Sequence, residues 1–139
     1  MPEKKHVLFV CVENSCRSQM AEAFAFLYAQ EVILAKSAGS RPSGQINPTA
    51  ITVMAELGYD LGSHTSKSLS EIPQVKYDYV ITMGCGDECP FIPAVVHEDW
   101  DLPDPKRLPL EEFRQVRDRI GERVKELAVR IEVNDHAKG

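Results

Sequence analysis

The sequence predicts an α/β fold with a parallel sheet carrying helices on both faces. Two observations lead there. Short apolar runs alternate with stretches of helical periodicity, and right-handed crossovers between parallel strands place the intervening helices against the sheet. Polar, turn-forming segments also follow the apolar runs, and in such sheets ligands bind beyond the carboxyl ends of the strands.

Residues 7–10 form a compact apolar run and predict the first strand. A polar loop follows, and Met20, Ala23, Phe24 and Leu27 then recur at helical spacing. Residues 32–35 predict a second strand, and the Ser, Gly, Arg and Pro residues of 37–44 a loop. Asn47 followed by Pro48 predicts a helix start, because Asn caps free amides and Pro suits the first helical position. Ala50, Ile51, Met54 and Leu57 supply that helix's apolar face and Gly58 its stop. Residues 78–83 and 94–97 predict two more strands. Phe113, Val116, Ile120, Val124, Leu127 and Ile131 mark one face of a long closing helix. The tail after Val133 is expected to fray.

The 139 residues suit one domain, 1–139, with one core, and there is no internal repeat or linker. Composition is ordinary for a globular chain, with 43% apolar and 27% charged residues, so collagen-like, coiled-coil and wholly disordered readings fall away. Sixteen Lys and Arg against 21 Asp and Glu leave a net charge of −5, which disfavours general binding to nucleic acid or anionic membrane while allowing a local anion site. The first apolar run is too short for a signal peptide, and no stretch approaches a membrane span. A cytoplasmic protein is therefore expected, and four cysteines in that setting point to chemistry, metal or packing before structural disulfides.

Residues 11–18, Cys-Val-Glu-Asn-Ser-Cys-Arg-Ser, lie between the first strand and the first helix. The backbone amides of Val12, Glu13, Asn14, Ser15, Cys16, Arg17 and Ser18 are thus placed to converge on one anion at the positive end of a helix dipole. The same field favours a thiolate on Cys11. Arg17 adds a planar fork for two oxygens of a tetrahedral oxyanion, the Ser18 hydroxyl is placed to donate to the sulfur, and Asn14 to brace the loop. A strand-end cysteine or a helix-start arginine alone is usually structural, but the pair at this spacing between strand and helix is specific. The glycines and Lys-Ser/Thr ending of a Walker loop are absent.

A second strand-end loop carries Cys85 and Cys89 around Gly86. It reads as a redox pair, as inert packing, or as a zinc site with His97 or the first-loop cysteines. Asp104, between Pro103 and Pro105, is either a turn aspartate or an acid able to protonate a departing oxygen. His64 and His97 are expected to be hydrogen-bonded structural histidines. One thiol suffices for transfer of a phosphoryl-like group to sulfur and hydrolysis, whereas reducing an oxyanion takes two electrons and a second thiol. The thiol count favours reduction.

Cys11-x5-Arg17-Ser18, Gln19-Met20-Ala21-Glu22, Ser37-Ala38-Gly39, Asn47-Pro48, His64-Thr65-Ser66, the Cys85/Cys89 loop and Asp104-Pro105 together resemble the arsenate reductases built on the low-molecular-weight protein tyrosine phosphatase fold. The resemblance implies a four-stranded parallel sheet and a thiol relay. Cys11 attacks arsenate while Arg17 and the loop amides hold its oxygens, and Asp104 protonates the leaving oxygen. Cys85 attacks the Cys11 sulfur, arsenite departs, and Cys89 resolves the disulfide to Cys85-Cys89. Thioredoxin, glutaredoxin or a small thiol recycles the enzyme, phosphate or sulfate acts as an analogue, and no cofactor or resident metal is implied. The chain is expected to be a monomer in arsenic detoxification.

Phosphatases of this fold carry aromatic residues after Asp-Pro, where this chain has Lys106 and Arg107, which argues against phosphotyrosine. Some relatives place an acid after His-Thr-Ser to help bind potassium. Here Lys67 stands there, so little potassium dependence is expected. Two other functions remain: a phosphatase acting on a non-aromatic ester, and an arsenic-binding protein using Cys11, Cys85 and Cys89 as soft ligands.

Overall fold

The computed structural model describes residues 4–84 and 91–138. Along the chain run β1 (Lys5–Cys11), α1 (Arg17–Ala29), β2 (Ile33–Gly39), α2 (Pro48–Ala55), β3 (Tyr77–Thr82), β4 (Ala94–Asp99) and α3 (Leu110–Lys138), with short 3-10 helices at Leu61–Ser63, Leu69–Glu71 and Pro105–Arg107. The four strands form one parallel sheet in the order β2-β1-β3-β4. The chain therefore leaves β1 toward one side of the sheet and later returns on the other. That reversal puts the carboxyl end of β1 at the switch point, where a crevice opens in an open α/β sheet. Cys11 ends β1 level with Gly39 of β2, and Val10 lies level with Thr82 of β3, so the loop after β1 emerges between two neighbouring strand ends.

Alternation along β1 divides the core. Val7, Phe9 and Cys11 face a layer containing Met20 and Phe24 of α1, Val53 and Met54 of α2, and Ile120, Val124, Leu127 and Ile131 of α3. Leu8 and Val10 point the other way, onto Ala38, Ile72, Tyr77 and Val80, with Leu69 of a 3-10 helix packed against them. Among the described residues the sheet thus has helical cover on both faces, three α-helices on one and a short 3-10 helix on the other. Each fully buried aliphatic side chain in these layers contributes about 1.5–3 kcal/mol.

Asn47 caps α2 as expected, its side chain accepting from the amides of Thr49 and Ala50 at 2.8 and 3.2 Å. Three expectations are corrected. β2 continues through Ser37, Ala38 and Gly39, because all three are buried and in register with β1, although their small side chains resemble a loop. α2 ends at Ala55, so Leu57 is exposed and Val53 takes the inward position. α3 runs to Lys138 without breaking after Val133. No helix is long and apolar enough to cross a membrane among the described residues.

Candidate active site

The loop from Cys11 to Arg17 is held from outside by its carbonyls. Ser40, Arg41, Ser43 and Asn47 donate their backbone amides to the carbonyls of Cys11, Val12, Glu13 and Ser15 at 2.8–3.3 Å. The Gln19 side chain donates to the Asn14 carbonyl at 3.1 Å, and Ser66 Oγ to the Glu13 carbonyl at 3.0 Å. In a trans peptide the N–H points opposite to the C=O. The amides of Glu13, Asn14, Ser15 and Cys16 therefore turn to the inner side of the loop, at the positive end of α1, where the side chain of Cys16 supplies no cap. Two backbone features permit this path. Asn14 adopts a left-handed conformation, φ 50°, which Asn tolerates better than most residues. Gly39 lies so close that a Cβ would sit 2.5 Å from the Val12 carbonyl oxygen.

Cys11 ends β1 buried, with Sγ 2.8 Å from Ser18 Oγ. Asn14 Nδ2 donates to the same Oγ at 2.8 Å, which leaves the serine proton free to point at sulfur and stabilise its anionic form. Asn14 Oδ1 accepts from Gln19 Nε2 at 2.7 Å and from the Lys67 amide at 2.9 Å. Gln19 Oε1 in turn lies 2.9 Å from His64 Nδ1, whose Glu22 neighbour is at 3.2 Å. The Lys67 ammonium sits under the loop, 3.2 Å from the Thr65 carbonyl, 3.4 Å from Ser37 Oγ and 3.9 Å from Glu22 Oε1. His97 bonds the Ile92 carbonyl. Both histidines are satisfied structurally, as expected.

Arg17 is buried, and its Nη1 donates to the carbonyls of Met83 and, at 3.0 Å, Leu102. These carbonyls follow β3 and β4, so the strand ends aim the guanidinium across the pocket. Its Nη2 lies 3.9 Å from Asp104 Oδ2, and Asp104 Oδ1 accepts from the Lys106 amide at 3.0 Å, capping the 3-10 helix Pro105–Arg107. Cys11, Val12, Glu13, Ser15, Cys16, Arg17, Arg41, Gly84 and Asp104 line one cavity. The structure thus brings Cys11, Arg17 and Asp104 together. Cys85 and Cys89 lie outside the described residues, although Gly84, which precedes Cys85 in the chain, lines the cavity. Burial pushes the Cys16 thiol up to about 12, against a Ser15 hydrogen bond and the Arg17 charge that favour its anion, with Asp104 and Cys11 adding to the rise. Cys16 is therefore a protonated wall of the cavity at neutral pH. Among the described residues no group of three His, Cys, Asp or Glu side chains is placed to hold a metal ion.

Four contributors carried no role in the sequence reading. Gln19 and Gly39 shape the loop from behind, Gly84 admits Arg17, whose Nη1 would meet a Cβ there at 3.3 Å, and Arg41 lines the cavity. The glycines after strands were visible signals. Gln19 and Arg41 depend on contacts with no local pattern. The resulting site can hold a tetrahedral oxyanion on backbone amides and a guanidinium, and present it to a sulfur nucleophile with a carboxylic acid alongside.

The family model described as "Low molecular weight phosphotyrosine protein phosphatase" matches residues 6–137. The "Glutaredoxin arsenate reductase" of Synechocystis sp. is 42% identical over 130 residues, covering 91% of this chain and 98% of that protein. A solved structure described as "An arsenate reductase in the phosphate binding state" superposes with a TM-score of 0.82 at 42% identity, covering 91% of this chain and 98% of the other. A thioredoxin-dependent arsenate reductase from Corynebacterium glutamicum superposes at 0.76 with 34% identity, covering 94% of this chain and 63% of the other.

Proposed function

The chain belongs to the low molecular weight phosphotyrosine protein phosphatase family, and we propose that within it this protein reduces arsenate to arsenite through a cysteine relay. The observation that carries the reading is the cavity in which Cys11, with Ser18 at 2.8 Å from its sulfur, and Arg17 share one amide-lined loop. Arsenate binds with its oxygens on the amides of residues 12–18 and on Arg17. The Cys11 thiolate attacks arsenic, and Asp104 supplies the proton with which one oxygen leaves as water. The Cys85 thiolate then attacks the Cys11 sulfur, so the arsenic–sulfur bond breaks with its electron pair passing to arsenic and arsenite departs. Cys89 attacks Cys85, freeing Cys11 and leaving a Cys85-Cys89 disulfide. Two thiols are oxidised for each arsenate reduced.

A thiol reductant of thioredoxin or glutaredoxin type, or a small thiol, returns the disulfide to thiols. Relatives named for each of the first two proteins support that class. The protein is proposed to act as a cytoplasmic monomer of one domain.

Hydrolysis of a phosphoester is the second reading, supported by the family description and by the same loop. Mass spectrometry separates the two. Fully reduced protein is given one equivalent of arsenate without external reductant, and its free thiols are alkylated. A stoichiometric Cys85-Cys89 disulfide with released arsenite is expected, and Cys89→Ser is expected to stop after one turnover at a Cys11-Cys85 disulfide. Four reduced thiols alongside hydrolysis of a phosphoester that survives Cys85→Ser and Cys89→Ser would establish the phosphatase instead.

A further inference from the structure

Two carboxylates line the cavity where an anion is expected to bind, Asp104 facing Arg17 and Glu13 facing Lys106. Glu13 lines the cavity from the nucleophile loop, as Cys11 and Arg17 do from the same segment. A negative side chain there repels an incoming oxyanion unless it is neutralised locally. Lys106 does this from the 3-10 helix Pro105–Arg107, its Nζ lying 2.6 and 3.0 Å from the two Glu13 oxygens. The pair bridges 93 residues of sequence and joins the loop of Cys11 to the 3-10 helix that Asp104 caps. Both side chains are partly exposed, Glu13 at 33% and Lys106 at 44%, whereas Cys11 and Arg17 are buried. The pair therefore lies at the solvent end of the cavity.

We propose that the Glu13–Lys106 ion pair sets the substrate class of this site, admitting small inorganic oxyanions and disfavouring phosphoesters with an apolar organic group. Such a group has to rest at the outer end of the cavity, beyond the phosphoryl oxygens. There it meets Glu13, Lys106, Arg41 and Asp104, and among the described lining residues only Val12 is aliphatic. Seating a ring there strips water from two charges without replacing it. A bare tetrahedral anion stays on the amides and Arg17 and leaves the pair hydrated. As a contributor to stability the pair is minor, since both side chains are partly exposed and solvent screens such pairs. Its effect is on what binds.

The inference deepens the arsenate reading and rests on it, yet its test needs no turnover. Inorganic phosphate and the non-hydrolysable phenylphosphonate are titrated calorimetrically into reduced wild-type protein, Lys106→Ala, Glu13→Gln and the double variant at low ionic strength. Lys106→Ala leaves Glu13 unneutralised and is expected to weaken phosphate binding about tenfold. The double variant is expected to return to within about twofold of wild type, because a lone exposed pair contributes little else. Phenylphosphonate is expected to gain on phosphate in the double variant. Unchanged phosphate affinity in Lys106→Ala overturns the proposal, as does a loss that persists in the double variant, which would make Lys106 a direct anion ligand. Arsenate reduction by wild type is followed in parallel. Its absence refutes the function reading and leaves the phosphate comparison to judge the ion pair.

Discussion

Asp104 uses its two carboxylate oxygens differently. Oδ1 accepts the Lys106 amide and starts a 3-10 helix, while Oδ2 faces Arg17 at 3.9 Å, at the edge of the cavity. The turn reading and the acid reading of this residue are therefore compatible. Asp104→Asn separates them, because asparagine caps as well as aspartate but has no acidic proton. Its melting temperature is expected to match wild type, while formation of the first disulfide after one arsenate addition slows by about 10²–10⁴-fold, the range of general acid catalysis. An unchanged single-turnover rate would remove Asp104 from the mechanism. The two described cavity cysteines divide along similar lines. Cys11 has a hydroxyl aimed at its sulfur, whereas burial holds the Cys16 thiol near 12 and so protonated. Cys11, Arg17 and Ser18 were readable in the sequence because one short loop carries them. Glu13 and Lys106 were not readable as a pair, since only the fold brings residues 93 positions apart together.

At the scale of elements, the end of β2 decides the shape of the loop after β1. Gly39 pairs with Cys11, and any Cβ on it would collide with the Val12 carbonyl at 2.5 Å and crowd Asn14 at 3.0 Å. The atoms it meets are the Val12 carbonyl oxygen, the Asn14 nitrogen and the Asn14 Cβ fixed to that backbone, so a larger residue displaces the loop itself. Gly39→Ala is expected to cost about 1–3 kcal/mol by overpacking, read as a lowered denaturant midpoint. A displacement near 1 Å at the amide cradle is expected to lower kcat/KM by about 10²-fold. A Gly39→Ala protein with wild-type midpoint and turnover would show that the loop yields cheaply. β1 was legible because a parallel strand buried on both faces reads as an unbroken apolar run. Ser37, Ala38 and Gly39 broke that pattern, since this stretch is buried by close backbone approach and not by bulky side chains. The α2 start was legible through Asn47 and Pro48, whereas its early stop at Ala55 left Leu57 outside the helix.

Across the whole molecule, one chain of hydrogen bonds joins the periphery to the nucleophile: Tyr59 to His64, His64 to Gln19, Gln19 to Asn14, Asn14 to Ser18, and Ser18 to Cys11. His64 is its titratable member. Burial pushes its pKa below the ordinary 6.5, and Lys67 acts in the same direction, together outweighing the Glu22 and Asp60 carboxylates that raise it. The folded protein thus binds a proton at His64 less readily than the unfolded chain. The histidine's contribution to stability is fully present above about pH 6.5 and is lost as pH falls below it, because the unfolded state then takes up the proton first. Protonation also puts a donor on both ring nitrogens, and the one facing Tyr59 can then no longer accept from its hydroxyl. Wild type is expected to lose more melting temperature between about pH 7 and pH 5.5 than His64→Gln, which has no charge to gain over that interval. Equal losses in the two proteins would place the acid sensitivity elsewhere. Since the same chain runs through Asn14 and Ser18 to Cys11, the oxyanion loop is expected to loosen over the same interval, and phosphate affinity measured alongside should fall in wild type more than in the variant.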